Sequence, residues 1–338
     1  MPPSNGDWLI PKEEVVDGGP PPDGIPSIDN PKFKPAHEIT YVDSSRLVTA
    51  VRIGNKIKVY PHQVMDHHEI VNDNIGQIPY CLTYCPLTGT GIAWERTING
   101  ETVEYGVSGK LFRNNLIPYD RKTNSRYSQM QMRAVNGSRI GTNVEPICPV
   151  VETTWATWKK LYPNSQVLTT QTGYSRDYGG YTYGKGYLHG DSGTLFPVKY
   201  PDHRLPNKER VLGIIAGDTA NEDASAKAYV IGDFKNGIEL KNDEFDGEKI
   251  MVVASADLNL AVSFKRELKD DGTLLHFEAV QDSLPVILRD QEGNRWDIFG
   301  YAVEGPRQGK RLTPTKSYIG YWFAWHDFFP NIKIYQPN

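Results

Sequence analysis

The chain has 338 residues, 38% hydrophobic and 23% charged, with a net charge of −4 at pH 7. That length allows one large or two ordinary domains with a real core, and the mild charge gives no electrostatic basis for binding nucleic acid or an anionic membrane. No apolar run reaches the roughly eighteen residues needed to cross a bilayer, so no transmembrane helix is expected.

Residues 1–40 are rich in Pro, Gly and Asp and read as an extended leader wrapped on a surface. The Met placed directly before such a segment suggests a start that replaces a removed export signal. A first repeat follows over 41–170. LVTAVRIG and KIKVYP alternate as strands, PHQVMDHHEIVND reads as a short helix, and IPYCLTYCPLTGTGIAWERT reads as a strand interrupted by a Pro-containing loop. IAWERT and ETVEYGVSG, joined by Ile-Asn-Gly, read as a hairpin. The tail TTWATWKKLYPNSQVL is a short aromatic helix, a Pro-Asn turn and an apolar strand. Residues 171–203 form a Tyr- and Gly-rich connecting loop without periodicity; long loops in compact proteins often carry function. The second repeat, 204–338, supplies strands in VLGIIAG, AKAYVI and KIMVVASADLNLAVSFKREL, and ends in GYWFAWHDFFPNIKIY. The fold expected is α+β: an internal duplication of mostly antiparallel β units with short helices.

The repeat is visible directly. His67–Asp73 falls on Gly237–Asp243, Trp94-Glu95-Arg96 on Phe264-Lys265-Arg266, and Asp120 on Asp290, all at a spacing of 170. Trp155, Trp158, Pro163 and Asn164 match Trp322, Trp325, Pro330 and Asn331 at a spacing of 167. Residues kept in both copies, including Glu69/Glu239, Asn72/Asn242, Asp73/Asp243 and Asp120/Asp290, are assigned to the fold. Chemistry in one copy only marks a site: His68 faces Ile238, and Cys85 faces Ser255. The first copy therefore reads as the site and the second as a scaffold.

A plainer reading exists for each. His68 lies at i+4 from Val64 on the expected helix and suits a core histidine; Cys85 suits a small buried apolar residue. As a pair, they fit a thiol activated by an imidazole or two ligands of a copper or zinc ion. His67, Met130, Met132, His189 and His203 are further candidate ligands. Cys81-x3-Cys85 is not a zinc-ribbon spacing, and on a strand both thiols would face one side. Asn114, Asn115, Tyr119, Tyr127 and Gln129 are expected to form the polar wall that binds substrate.

The strings HHEIVND, YCPLTGTGIAW, YGVSGKL with Asn114-Asn115, Tyr119-Asp120-Arg121, and TGYSRDYG with FPV resemble the bacterial and archaeal family catalogued as domain of unknown function 3179. The resemblance runs from about Ile25 to the C-terminus. It implies an exported protein, since many members carry a signal peptide or lipoprotein start. Relatives often have a second Cys in a CPLCGTG pattern where this chain has Thr88, and a Trp where it has His67, so a mechanism needing Cys-x-x-Cys is not expected here.

These observations lead to an extracytoplasmic metal-binding protein, with copper preferred and zinc as alternative, held by Cys85, His68 and His67. It would act as an oxidoreductase on a small molecule. One alternative is a metal-free transferase or hydrolase with Cys85 as nucleophile and His68 as base. The other is a non-catalytic binding or scaffold protein using loop 171–203.

Overall fold

The computed structural model describes residues 7–188, 190, 192–217 and 224–336. Candidate ligand His189 lies outside them. The chain is mostly antiparallel sheet with a few short helices, an α+β arrangement.

The first half opens with a hairpin, β1 (Leu47–Ile53) and β2 (Lys56–Pro61), buried on both faces: Val48, Ala50 and Val59 join one apolar cluster and Val51 and Tyr60 another. A one-turn helix α1 (His62–Met65) follows. Then come β3 (Ile70–Ile75), β4 (Ile78–Cys85) and β5 (Thr90–Glu95), a three-stranded antiparallel sheet. A meander of β6 (Tyr105–Phe112), β7 (Asn115–Asp120), β8 (Arg126–Ser128) and β9 (Arg133–Asn136) is next. The leader strand Val15–Asp17 adds to its β6 edge. The half closes with β10 (Val151–Thr154), helix α2 (Trp155–Leu161) and β11 (Gln166–Leu168). β10 returns to pair with β1, and β11 lies parallel to β2. Thr154 caps α2 through the Thr157 N–H, satisfying a donor the first turn leaves open.

The second half runs through the same strand order. β12 (Arg210–Ala216) and β13 (Ser225–Val230) form the hairpin. β14 (Glu239–Phe245), β15 (Glu248–Ser255) and β16 (Leu260–Lys265) form the three-stranded sheet. β17 (Phe277–Ala279), β18 (Val286–Asp290), β19 (Arg295–Asp297) and β20 (Ala302–Glu304) form the meander. β21 (Ser317–Tyr321) pairs with β12, helix α3 (Trp322–Phe328) follows, and β22 (Lys333–Ile334) lies parallel to β13. Pro163 and Pro330 follow α2 and α3, where a residue without an N–H ends a helix.

The cores cross between the halves. One apolar cluster joins Cys85, Ile92, Trp94 and Met130 of the first half to Val211, Tyr318, Trp322 and Trp325 of the second. Another joins Val48, Val151, Trp155 and Trp158 to Met251, Phe264, Trp296 and Phe299. Each half thus packs its outer hairpin and helix against the other half's three-stranded sheet and meander.

Two local expectations are corrected. The helix over PHQVMDHHEIVND stops at Met65, and His67 and His68 sit in a turn before β3. Glu69 has φ 57°, a left-handed backbone that ends a helix, while Ile70 and Val71 pair across to Thr83 and Leu82. The expected Ile-Asn-Gly hairpin is reduced to Thr97–Ile98 against Glu101–Thr102. β5 pairs instead with β4, and Tyr105–Phe112 belongs to the meander.

Candidate functional site

β4 delivers Cys85 to a tight turn, Pro86–Gly89, closed by the Gly89 N–H donating to the Cys85 carbonyl at 2.9 Å. Gly89 has φ 64°, and a Cβ there would lie 3.0 Å from the ring of Tyr321. Only glycine lets that ring rest on the turn. Beneath it, Asn115 donates to Thr88 Oγ1 (2.9 Å) and to Gln129 Oε1 (2.7 Å), and Gln129 donates to Thr83 Oγ1 (3.0 Å). Thr90 donates to Gln129 Oε1 at 2.7 Å. Asn115 and Gln129 therefore hold the Cys85 turn from below, a support more than a substrate wall, since their amides are satisfied by these residues.

Cys85 is buried, and all three cysteines are free thiols. Its Sγ lies 3.7 Å from the carbonyl oxygen of Asn114. Burial pushes its pKa up to about 11, and Glu69 adds to the shift; hydrogen bonds from Thr88 and the Leu116 backbone act in the opposite direction. The Asn114 side chain accepts from Phe196 N–H (3.0 Å) and donates to the Pro197 carbonyl (3.3 Å), tying loop 171–203 to the Cys85 turn.

His68 is fully buried and both ring nitrogens are engaged. Nδ1 lies 2.7 Å from the Pro26 carbonyl and Nε2 2.7 Å from the Tyr178 hydroxyl. A carbonyl only accepts, so Nδ1 carries the proton and Nε2 accepts from Tyr178. Burial lowers the His68 pKa to about 4, against the Pro26 carbonyl, and the ring is neutral. No hydrogen bond joins His68 to Cys85. His67 packs edge-on against Tyr178, and burial lowers its pKa as well.

The groups around the Cys85 turn come from elsewhere. Lys208, from the approach to β12, is buried, and its Nζ has no hydrogen-bond partner among the described residues. The nitrogen sits 3.3 Å from the centre of the Tyr187 ring, 4.5 Å from Phe323 and 5.0 Å from Tyr321. Burial lowers its pKa to about 7, with the neighbouring Cys85 acting the other way. Glu69 is buried, and burial with Asp66 beside it raises its pKa to about 8. Burial also raises Asp66, to about 6, against His62 and Arg46. Behind them Arg210 pairs with Glu152 at 2.6 Å, and His62 Nε2 lies 3.3 Å from the same carboxylate. Burial would raise Glu152, but Arg210 and His62 hold it down at about 2.

Loop 171–203 covers this cluster with tyrosines. Tyr178 binds His68, and Arg46 stacks on Tyr181 at 3.2 Å while donating to the Gly180 carbonyl. Tyr183 has Glu69, Cys85 and Asp66 as its titratable neighbours. Tyr187 donates to the Leu87 carbonyl at 2.9 Å.

The remaining expected residues lie apart. Tyr119 donates to Asp23 Oδ2 (2.6 Å) and Tyr127 to Asp120 Oδ2 (3.3 Å). Met130 and Met132 are core residues, and His203 is exposed. Among the described residues no three His, Cys, Asp or Glu side chains converge on a point that could hold a metal ion.

The second half brings Lys208, Arg210, Tyr321 and Phe323 to the surroundings of the first half's turn. Strand pairing shows how these were missed. Leu47 opposes Thr154 in the first half as Arg210 opposes Tyr321 in the second. Arg210 and Tyr321 thus stand where the first half has Leu47 and Thr154, and Glu152 stands where the second has Ile319. Chemistry present in one copy only would have marked them, had the comparison followed the strands. Glu69 was set aside because Glu239 matches it, yet Glu239 is half-buried and bound to Asn236 N–H and Lys241, a different environment.

No curated protein and no solved structure matches the chain. It matches, over residues 22–332, the family described as "Protein of unknown function (DUF3179)". With nearly its whole length covered, the chain belongs to that family.

Proposed function

We propose that the protein is an enzyme of the transferase or hydrolase type, in which Cys85 attacks an acyl-type carbon and Lys208 accepts the thiol proton. The observation that carries this is a buried Lys208 amine, without a hydrogen-bond partner among the described residues, packed on Tyr187 and Tyr321, the two rings that rest on the turn of the buried Cys85 thiol. An unpaired ammonium is costly to bury, so this lysine is readily neutral and able to act as a base. In the step, a bond forms between Sγ and the carbonyl carbon. The thiol proton passes to Lys208 Nζ, and the carbonyl π electrons move to oxygen. Collapse expels the leaving group, which takes a proton from the Lys208 ammonium. Glu69 is protonated at neutral pH and supplies a second acid. Neither role needs His68, which instead positions Tyr178.

Alkylation of Cys85 by iodoacetamide, followed by peptide mapping against pH, tests the pairing. The wild-type rate should rise through about pH 7, as Lys208 loses its proton. Lys208→Met should abolish that limb and leave a rise toward about 11. The same profile in both proteins would sink the proposal.

The copper-binding, extracytoplasmic reading keeps one observation in its favour. The Nδ1–H bond to the Pro26 carbonyl leaves Nε2 of His68 as the lone-pair nitrogen, the arrangement in which a histidine binds metal. Tyr178 would have to yield its place. Metal analysis after copper loading, in wild type and His68→Ala, decides it: equal content in the two removes His68 as a ligand.

A further inference from the structure

The Cys85 site is shut. Cys85, Glu69 and Lys208 are all buried, so a substrate reaches them only if some element moves. Paired strands form much of the surroundings, β4 with β5 and β12 with β21. The cover is built differently. Across residues 171–188 only Tyr178 and Tyr187 are buried. Arg46 pins one end, on the Tyr181 ring and the Gly180 carbonyl, and the Lys208 N–H pins the other, on the Gly190 carbonyl at 2.9 Å. Between these pins, among the described residues, the backbone–backbone hydrogen bonds of 182–188 reach no further than Tyr181. The Tyr187 hydroxyl makes one hydrogen bond, to the carbonyl of Leu87 in the Cys85 turn, while its ring lies 3.3 Å from Lys208 Nζ. Immediately before it, Gly186 has no positive φ, and a Cβ there would meet nothing within 4 Å. Neither backbone shape nor packing calls for glycine at that position, and what glycine supplies there is freedom to turn.

We infer that residues 182–188 are a lid over the Cys85 site, with Tyr187 as its plug and Gly186 as its hinge. Lifting Tyr187 breaks its bond to Leu87, takes a ring off Lys208 and opens the Cys85 turn to a substrate. The pins at Tyr181 and Gly190 stay in place. Closed, the same ring keeps water from the amine and the turn. The inference rests on reading Cys85 as the reactive centre, but it concerns access and not the identity of the base.

Iodoacetamide alkylation rates of the full chain at one pH, read separately at Cys85, Cys81 and Cys148 by peptide mapping, test the lid. The pH profile tests Lys208, so each reading can fail alone. Tyr187→Phe keeps the ring and removes its hydrogen bond, and Cys85 should react roughly five- to tenfold faster, the ratio for one neutral hydrogen bond. Gly186→Ala stiffens the hinge, and Cys85 should react about two- to fivefold more slowly. Cys81 and Cys148, buried elsewhere in the first half, should keep their rates in both variants. An unchanged Cys85 rate in Tyr187→Phe, a Cys85 rate that Gly186→Ala does not slow, or a rise shared by all three cysteines would each overturn the lid.

Discussion

Glu69 and His68 are adjacent, and burial shifts both toward their neutral forms, so their linkage to stability has opposite signs. Glu69 has a folded pKa of about 8, well above its usual 4.5. Between these values the folded state holds a proton that the unfolded state has released, so stability falls as pH rises through that window. Glu69→Gln removes this term. Urea unfolding should show the variant gaining on wild type by at least about 1 kcal/mol between pH 5 and pH 8, and a constant difference would show that Glu69 titrates normally. His68 has a folded pKa of about 4 against 6.5. The unfolded state then takes up its proton first, and stability is lost as pH falls from 6.5 toward 4. His68→Gln should flatten this acid limb, read as melting temperature against pH; an unchanged limb would assign it to other groups. Tyr178→Phe strands Nε2 without its donor and should cost on the order of 1 kcal/mol at neutral pH.

At the scale of elements, the two halves build the same bracket. Lys58 and Tyr60 of β2 bind Asp73 of β3, and Lys227 and Tyr229 of β13 bind Asp243 of β14. The brackets are not equal, because Asp73 also accepts from Tyr80 and its side chain is 5% exposed against 15% for Asp243. Asp73→Asn should cost roughly 3 kcal/mol, as for breaking a buried charge pair, and Asp243→Asn distinctly less; denaturation midpoints compare them, and equal losses would refute the ranking. The structural role of this aspartate pair was legible from the repeat alone. So were the strands LVTAVRIG and KIKVYP and the two tryptophan helices, since alternation and Pro-terminated aromatic segments are local signals. The site was only half legible. Cys85 stood out because Ser255 replaces it, and loop 171–203 because of its length. Lys208, Glu152 and Arg210 did not, because they meet only through pairing between segments far apart in sequence. His68 leaves the expected helix because that helix stops at Met65 and the chain turns to a left-handed Glu69, where no glycine announces it.

For the molecule as a whole, reciprocal packing means that neither half owns its core. Trp325 of α3 shows this at one point. It sinks onto β12 and β21 where both carry glycine: a Cβ on Gly213 would meet its ring at 2.2 Å, and one on Gly320 would meet its Nε1 at 3.0 Å. From there it belongs to the cluster that contains Cys85, Ile92 and Trp94 of the first half. A cavity opened at Trp325 is therefore felt across the junction. Trp325→Ala should cost roughly 3–5 kcal/mol, and the loss should appear in the first half as much as in the second. The cysteines make that measurable, because Cys81, Cys85 and Cys148 are all buried in the first half. Their alkylation across a urea series reports first-half opening, while far-ultraviolet circular dichroism reports the whole chain. In Trp325→Ala both midpoints should fall together by the same amount. Cysteines that stay protected at urea concentrations where half the dichroism signal is gone would mean that the halves unfold independently, and the shared core would then not couple them.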